Sequence, residues 1–372
     1  MFYKVFKPFS PTKTMEKWNT KCRFFNEKYA CDTLTSEGYS SCIECKFASE
    51  FSKKILIIKF GALGDVVRTT PLLEALKNKY PDCLIYWLTT EKSKEILENN
   101  PYVDKILVYN PENILRIQQE KFDILYSLEI DTPPTLLANI ANAKEKYGYY
   151  FDNGATSCFN KGAEEYLETA FLTHVKLANR KTYQQLIFQA CEFKFNKQEP
   201  TIELSEKEKK SAEDFLKENN LSKKILGINF SAGNRWPSKS WSEKQLIELI
   251  KQVKDYKILL LGGPEETEKL NDLKKQFPSI AINESNNSIK EFAAIINKCD
   301  HVITTDSLAL HLATALKKPT TALFFSTPAW EVEDYGRIIK LQSPLLEKNF
   351  FSNKFSEELA NSITTAQVIK TL

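Results

Sequence analysis

Each half of the chain opens with a Lys-Ile-Leu tripeptide that begins a short apolar run, stops at a turn of small residues and gives way to a helical pattern. The first is KILIIKFGALGDVVRTTPLLEAL, Lys54 to Leu76, and the second begins with KILGINF, Lys224 to Phe230. Apolar runs this short between turn signals suit buried strands. A strand, a tight turn and a helix, repeated, argue for βαβ units around a parallel sheet. The first half carries strand signals at 55–59, 84–88, 105–109 and 122–128, with helical periodicity at 70–79, 92–98, 112–120 and 134–143. Pro71 falls near a first helical turn, where its missing N–H costs little. The middle is less regular, with helical patterns at 181–193 and 205–218. The alternation then resumes, with strands at 224–230, 256–261, 280–283, 301–305 and 320–325. Helices are expected at 241–254, 265–276, 289–298, 309–316 and 356–371. The fold class is α/β, in two halves.

The chain's 372 residues, 42% of them hydrophobic, suffice for two domains, each with its own core. A net charge of +3 is near balance and excludes the basic stripe of a nucleic-acid binder. The N-terminus lacks the apolar core and small-residue cleavage site of a signal peptide, and no apolar run is long enough to span a bilayer. These features point to a cytoplasmic protein. The first 21 residues are basic and aromatic; that suits peripheral contact with an anionic membrane and suits a solvated terminus better. The oligomeric state is not legible.

In an open parallel sheet, ligands bind outside the carboxyl ends of the strands, so the turns that follow strands are where chemistry belongs. SAGNRWPSKSW, Ser231 to Trp241, combines small residues with Arg235 and Lys239, as a phosphate site does; an ordinary loop with surface cations reads the same way. In TTDSLALHLATAL, Thr304 to Leu316, Asp306 or Ser307 can cap a helix. His311, one turn on, is either a packed histidine or one that reaches a phosphate. In LLGGPEETEKL, Glu265 and Glu266 favour a helix start, and one of the two could also take sugar hydroxyls of a nucleotide. Neither G-x-x-x-x-G-K-[ST] nor a strand-linked G-x-G-x-x-G occurs, which argues against a P-loop ATPase and a standard dehydrogenase.

Taken in order, these turns and the Lys54–Leu88 stretch resemble family 9 glycosyltransferases, the ADP-heptose:lipopolysaccharide heptosyltransferases and their relatives, over about 54–345. The resemblance implies a GT-B fold of two Rossmann-like domains facing a cleft. Residues 54–205 would form the acceptor domain and 206–350 the nucleotide-sugar donor domain, with 351–372 a helix packing back on the first. It further implies inverting transfer of a heptose from ADP-heptose to a hydroxyl of a glycan, lipopolysaccharide or protein, with no metal needed for the chemistry. Asp65 would be the base that takes the acceptor's proton, its turn permitted by Gly61 and Gly64. Arg235 and Lys239 would lie near the phosphates, Glu266 near the ribose, and Ser231, Asp306, Ser307 and His311 along the donor. Two positions depart from the family: Asn234 stands where lysine is frequent, and Leu308 where glycine is usual. Another nucleotide sugar, an epimerase, or a non-catalytic nucleotide-sugar-binding scaffold are the alternatives.

Four of the eight cysteines crowd into residues 1–53: Cys22, Cys31, Cys42 and Cys45. The last two form a C-x-x-C knuckle. Four thiolates suit a structural zinc, or a rubredoxin-like iron, with reduced thiols or disulfides as the alternative; some family members carry such an extension.

Overall fold

The computed structural model describes residues 17–28, 31–222 and 224–372. Two six-stranded sheets carry the chain. The first holds β1 (Lys54–Ile58), β2 (Leu84–Thr89), β3 (Lys105–Val108), β4 (Phe122–Ser127), β5 (Ala143–Asp152) and β6 (Ala155–Cys158), in the order 3-2-1-4-5-6. The second holds β7 (Ile225–Asn229), β8 (Lys257–Leu260), β9 (Ala281–Ile282), β10 (His301–Thr305), β11 (Thr320–Phe324) and β12 (Ile338–Gln342), in the order 12-11-10-7-8-9. The pairings are parallel except between β5 and β6. Counted from each domain's own first strand, the two orders are the same. Each reverses beside that strand, between β1 and β4 and between β7 and β10. At such a point neighbouring strands send their connections to opposite faces, and a crevice opens at their carboxyl ends. The expected α/β architecture of two Rossmann-like domains is present.

The central strands are continuous apolar runs because helices cover both faces; Ile55, Leu56, Ile57 and Ile58 of β1 are all fully buried. Three strands, β5, β6 and β12, carry no such signal. β5, AKEKYGYYFD, is half exposed, and β12 lies at a sheet edge. Charged residues are tolerated at both, which hides them from a hydrophobicity reading. The β5–β6 hairpin turns at Asn153 and Gly154, with φ of 42° and 95°, the Asn-Gly preference of tight hairpins.

The expected helix at 70–79 is present as Pro71–Lys79, and a further helix, Leu63–Thr69, precedes it. Proline at 71 cannot bond the Val67 carbonyl four residues back. The Thr70 hydroxyl does so instead, at 2.8 Å. Thr70 Oγ1 also accepts from Thr201 N at 2.9 Å, which pins the connection between domains to this kink.

Two separate cores were expected, yet the largest apolar cluster runs through both domains. It joins Val66 and Val67 of the first to Ala309 and Leu312 of the second. Bidentate Arg337–Glu199 bonds of 2.9 and 3.2 Å, and a Lys290 to Glu98 carbonyl bond of 2.8 Å, add polar ties.

The C-terminal segment corrects an expectation. It is not one helix returning to the first domain but two short helices, Glu357–Ala360 and Thr365–Ile369, on the second. Leu359, Ile363 and Val368 join the second domain's core. Trp241 Nε1 donates to the Ile363 carbonyl at 2.8 Å, and Gln245 accepts from Thr365 N at 2.7 Å. The apolar side chains of this segment match the open face beside Trp241, so docking there buries them. Phe351 alone of that stretch is described against the first domain, under Lys176.

Residues 23–28 pack against the β3 edge of the first sheet. Glu27 pairs with Lys105 and Arg116, and Arg23 donates to the Cys83 carbonyl at 3.1 Å. Of the basic residues that suit a membrane surface, Lys4, Lys7 and Lys13 lie outside the described residues, and Lys17 and Lys21 within them. Among the described residues no helix is long and apolar enough to cross a membrane.

Candidate active site

The two reversal points face each other across a cavity of about 820 Å³. Asp65, Ser231, Arg235, Lys239, Glu266, Asp306, Ser307 and His311 all line it. Residues scattered over nearly 250 positions converge because each follows a strand whose carboxyl end points the same way.

Asp65 is the third residue of helix Leu63–Thr69. The N-cap is Ala62, with no side-chain cap, so the carboxylate is not spent on the helix end. It accepts from Arg68 Nη2 at 2.6 Å, and Arg68 lies over the Tyr183 ring, 4.1 Å from its centroid. Burial alone would raise the Asp65 pKa, but the charges of Arg68 and Lys59 outweigh it and hold the group below its ordinary value. It is therefore ionised near neutrality, the protonation state a general base requires. Beneath it, Lys59 Nζ donates to the buried Glu129 at 2.9 Å, and Glu129 also accepts from Gly61 N at 3.3 Å. This pair locks the loop after β1 to the loop after β4.

The glycines of this turn do not act as expected. Neither Gly61 nor Gly64 has positive φ. Gly64 is helical, and its absent side chain matters across the domain boundary: a Cβ there would lie 2.3 Å from His311 Cδ2. Glycine lets the histidine of the second domain seat directly on the helix that carries Asp65.

In the second domain, Asp306 Oδ2 accepts from Lys239 Nζ and from Thr327 Oγ1, both at 2.7 Å. Burial favours its neutral form, yet Lys239 and His311 prevail, and the carboxylate lies well below the usual range. His311 Nε2 stands 3.9 Å from Asp306 Oδ1. Burial, with Arg68 beside it, drives the His311 pKa down to about 3. His311 is thus a neutral imidazole, offering one N–H rather than a charge. Ser307 is the N-cap of helix Leu308–Ala315 but makes no cap bond; its hydroxyl goes to Asn229 Oδ1 at 2.8 Å. Neither Asp306 nor Ser307 does the capping expected of them.

The loop after β7 is shaped by Gly233, at φ 76°. Ser231 Oγ accepts from Gly233 N at 3.2 Å, and Glu265 accepts from Asn234 N. Arg235 is exposed and has no hydrogen bond or ion pair among the described residues. Glu266 is buried and accepts from Gly263 N at 2.9 Å, so it closes the Gly-Gly-Pro turn while lining the cavity. Arg68, Thr327 and Glu331 also line the cavity and went unassigned from sequence. Arg68 was legible: three residues after Asp65 on a helix means the same face. Thr327 and Glu331 lie in KKPTTALFFSTPAWEVEDYGR, Lys317 to Arg337, a stretch that shares in the family resemblance but offers no residue pattern that singles them out.

A separate cavity of about 460 Å³ is lined by Cys22, Cys31, Cys42 and Cys45. All four are free thiols, and Cys31 Sγ accepts from Leu34 N at 3.4 Å. Among the described residues, no group of three or more His, Cys, Asp or Glu side chains is gathered closely enough to hold a metal ion.

The model of glycosyltransferase family 9 (heptosyltransferase) matches residues 114–348. Lipopolysaccharide heptosyltransferase 1 of Campylobacter coli is 22% identical over 343 residues, covering 82% of this chain and 96% of that protein. A family 9 glycosyl transferase from Veillonella parvula superposes with a TM-score of 0.66 at 21% identity, covering 86% of this chain and 96% of that one. The E. coli ADP-heptose lps heptosyltransferase II superposes with a TM-score of 0.63 at 17% identity, covering 86% and 97%. The iron-containing dodecameric glycosyltransferase TibC of enterotoxigenic E. coli superposes with a TM-score of 0.50 at 12% identity, covering 86% and 74%.

Proposed function

Since the chain belongs to glycosyltransferase family 9, we propose that it transfers a heptose, with inversion, from ADP-heptose to a hydroxyl of a lipopolysaccharide or related glycan. The observation that carries this reading is the convergence of an uncapped carboxylate, Asp65, with the cationic small-residue loops of the other domain on one cleft. The relatives named for lipopolysaccharide heptosyl transfer, and the ADP-heptose enzyme among the superposed structures, support the choice of donor.

In this reading Asp65 accepts the acceptor's hydroxyl proton as that oxygen attacks the anomeric carbon. The bond from the anomeric carbon to the diphosphate oxygen breaks on the opposite side, and ADP leaves with the electron pair. Lys239 and Arg235 meet the growing negative charge, while His311 and the N-terminal turn of helix Leu308–Ala315 offer N–H groups. Glu266 borders the ribose. No step needs a metal. Asn234, exposed on the loop after β7, supplies no charge where the family resemblance leads one to expect lysine, and Arg235 or Lys239 takes that place. A donor with another base or sugar is the second reading, favoured by the Leu308 side chain in the cavity wall. Release of ADP from ADP-heptose, with and without a lipopolysaccharide-core acceptor and beside a panel of other nucleotide sugars, tests both. Turnover of a different nucleotide sugar with none of ADP-heptose overturns the donor assignment.

The four-cysteine segment is read as a structural zinc or iron module. The thiols suit a thiophilic ion by chemistry and by lining one cavity, although they stand apart; binding would draw them together and couple to local folding. Their cavity is distinct from the cleft, so the ion's contribution would be to the fold of residues 17–53. Elemental analysis of protein purified without chelators should find about one zinc or iron per chain, lost in Cys42→Ser; a metal-free wild type rules the module out.

A further inference from the structure

Glu331 ends the turn Ala329–Glu331 that follows β11. Its carboxylate opens on the same cavity as Asp65, is only partly exposed, and has no hydrogen bond or ion pair among the described residues. That is unusual company for an acid. Arg68 and Lys176 face it from the first domain, and Asp306 and Lys239 from the second. Arg68 is committed to Asp65, and Lys239 to Asp306. Lys176 lies over the Phe351 ring, 3.5 Å from its centroid. Each neighbouring cation thus has another partner, and the Glu331 carboxylate is left with its acceptor lone pairs unused. A partly buried acid in that state is incomplete without something that donates to it.

The order of groups across the cleft says what that donor is. The Gly-Gly-Pro turn after β8 lies at one end. The cationic groups Arg235 and Lys239, with His311, come from the loops after β7 and β10. Glu331 comes from the next strand outward, β11, and faces the first domain. A diphosphate held by Lys239 and Arg235 would be repelled by a second carboxylate, so Glu331 cannot serve the phosphates. In the transfer reading the sugar, a neutral polyol whose O–H groups donate, would sit between the diphosphate and the Asp65 carboxylate. We propose that Glu331 is a specificity-determining residue that accepts hydrogen bonds from hydroxyls of the transferred sugar; this rests on the nucleotide-sugar transferase reading above. Burial pushes its pKa up to about 7 against the opposing charges of Arg68 and Lys176. Asp65 and Asp306 are held ionised and His311 neutral in the same range. The sugar contact should therefore be strongest above about pH 7 and weaken below it, as the carboxylate is protonated.

The test compares calorimetric affinities for ADP-heptose and for ADP in wild type, Glu331→Ala and Glu331→Gln, beside melting curves. The sugar increment, the ratio of the two affinities, isolates the contact. Glu331→Ala should weaken ADP-heptose by ~10- to 100-fold, as expected for loss of a charged hydrogen bond, and leave ADP unchanged. The increment should fall from pH 8 to pH 6 in wild type and be flat in Glu331→Gln. An unchanged ADP-heptose affinity in Glu331→Ala, or equal losses for ADP and ADP-heptose, overturns the assignment. If wild type instead prefers another nucleotide sugar in the panel, the heptose reading fails by itself, and the same ratio is measured for that sugar against its nucleoside diphosphate. A wild type with no sugar increment for any of them overturns the assignment too.

Discussion

At the scale of single residues, charge pairing decides what each group can do. Asp65 and Arg68 form a close pair at 2.6 Å, and that pair explains why a partly buried acid remains a base. Asp65→Asn preserves shape and can still accept from Arg68. It should stay folded, losing on the order of 1–3 kcal/mol through the weakened, partly buried contact, while kcat falls by ~10²- to 10⁴-fold with ADP affinity preserved. Turnover assays beside a denaturation curve separate the two effects, and near-normal turnover removes Asp65 from the catalytic role. Gly64 makes a second residue-scale test. A methyl group 2.3 Å from His311 Cδ2 forces the histidine or the helix to move. Gly64→Ala should cost ~1–3 kcal/mol by overpacking and weaken ADP binding in parallel, whereas a mere turn glycine with negative φ would tolerate alanine. Urea denaturation and calorimetry report both.

At the scale of elements, the way the cysteine-bearing segment is fastened matters most. Glu27 reaches from it to Lys105 on β3 and to Arg116 on the helix Pro111–Gln119. Partial burial raises the Glu27 pKa, but the hydrogen bonds from Arg116 and Lys105 dominate and bring it from 4.5 to about 2. A carboxylate depressed on folding stabilises above its unfolded pKa and loses that contribution as pH falls through the folded one. The window is thus from about pH 4.5 down to about 2. The Glu27 side chain is 37% exposed, so water screens the pair and the contribution is under ~1 kcal/mol. Hydrogen exchange over 17–50 should quicken between pH 5 and pH 3 in wild type, and should be fast and pH-insensitive, beyond the intrinsic rate, in Glu27→Gln. Equal protection in the two proteins at pH 6 would show that the fork does not fasten the segment.

At the scale of the whole molecule, the shared core sets behaviour. Val66 and Val67 pack in one apolar cluster with Ala309 and Leu312, and the helices bearing Asp65 and His311 are in direct contact. Two domains joined this way lose buried apolar area together, so unfolding should be one cooperative event. Tryptophan fluorescence, with Trp87 in the first domain and Trp241 in the second, should give a urea transition coincident with circular dichroism. Two resolved transitions would mean that the cluster does not couple the halves. Tight coupling also implies that cleft chemistry and inter-domain packing are not separable: Gly64 belongs to both.

The alternation of apolar runs with helical periods, read from residues alone, determined the α/β class, the two halves and most element positions. The restart at Lys224 follows from a buried parallel strand needing four or five consecutive apolar side chains wherever it occurs. The convergence of Asp65, Lys239, Asp306 and His311 was equally foreseeable, because every one follows a strand and all parallel strands end on one side. The half-exposed β5 and the edge strand β12 escaped, since partial exposure lets charged residues stand where the pattern demands apolar ones. The partners of each group also escaped. That Asp65 meets Arg68 is local and legible, but the seating of His311 on Gly64, the unpartnered Glu331 carboxylate and the docking of 357–369 on the second domain join residues distant in sequence. Local pattern records which face of an element is apolar or charged; which distant face it meets is set by the packing of the complete chain, and only the tertiary structure decided that.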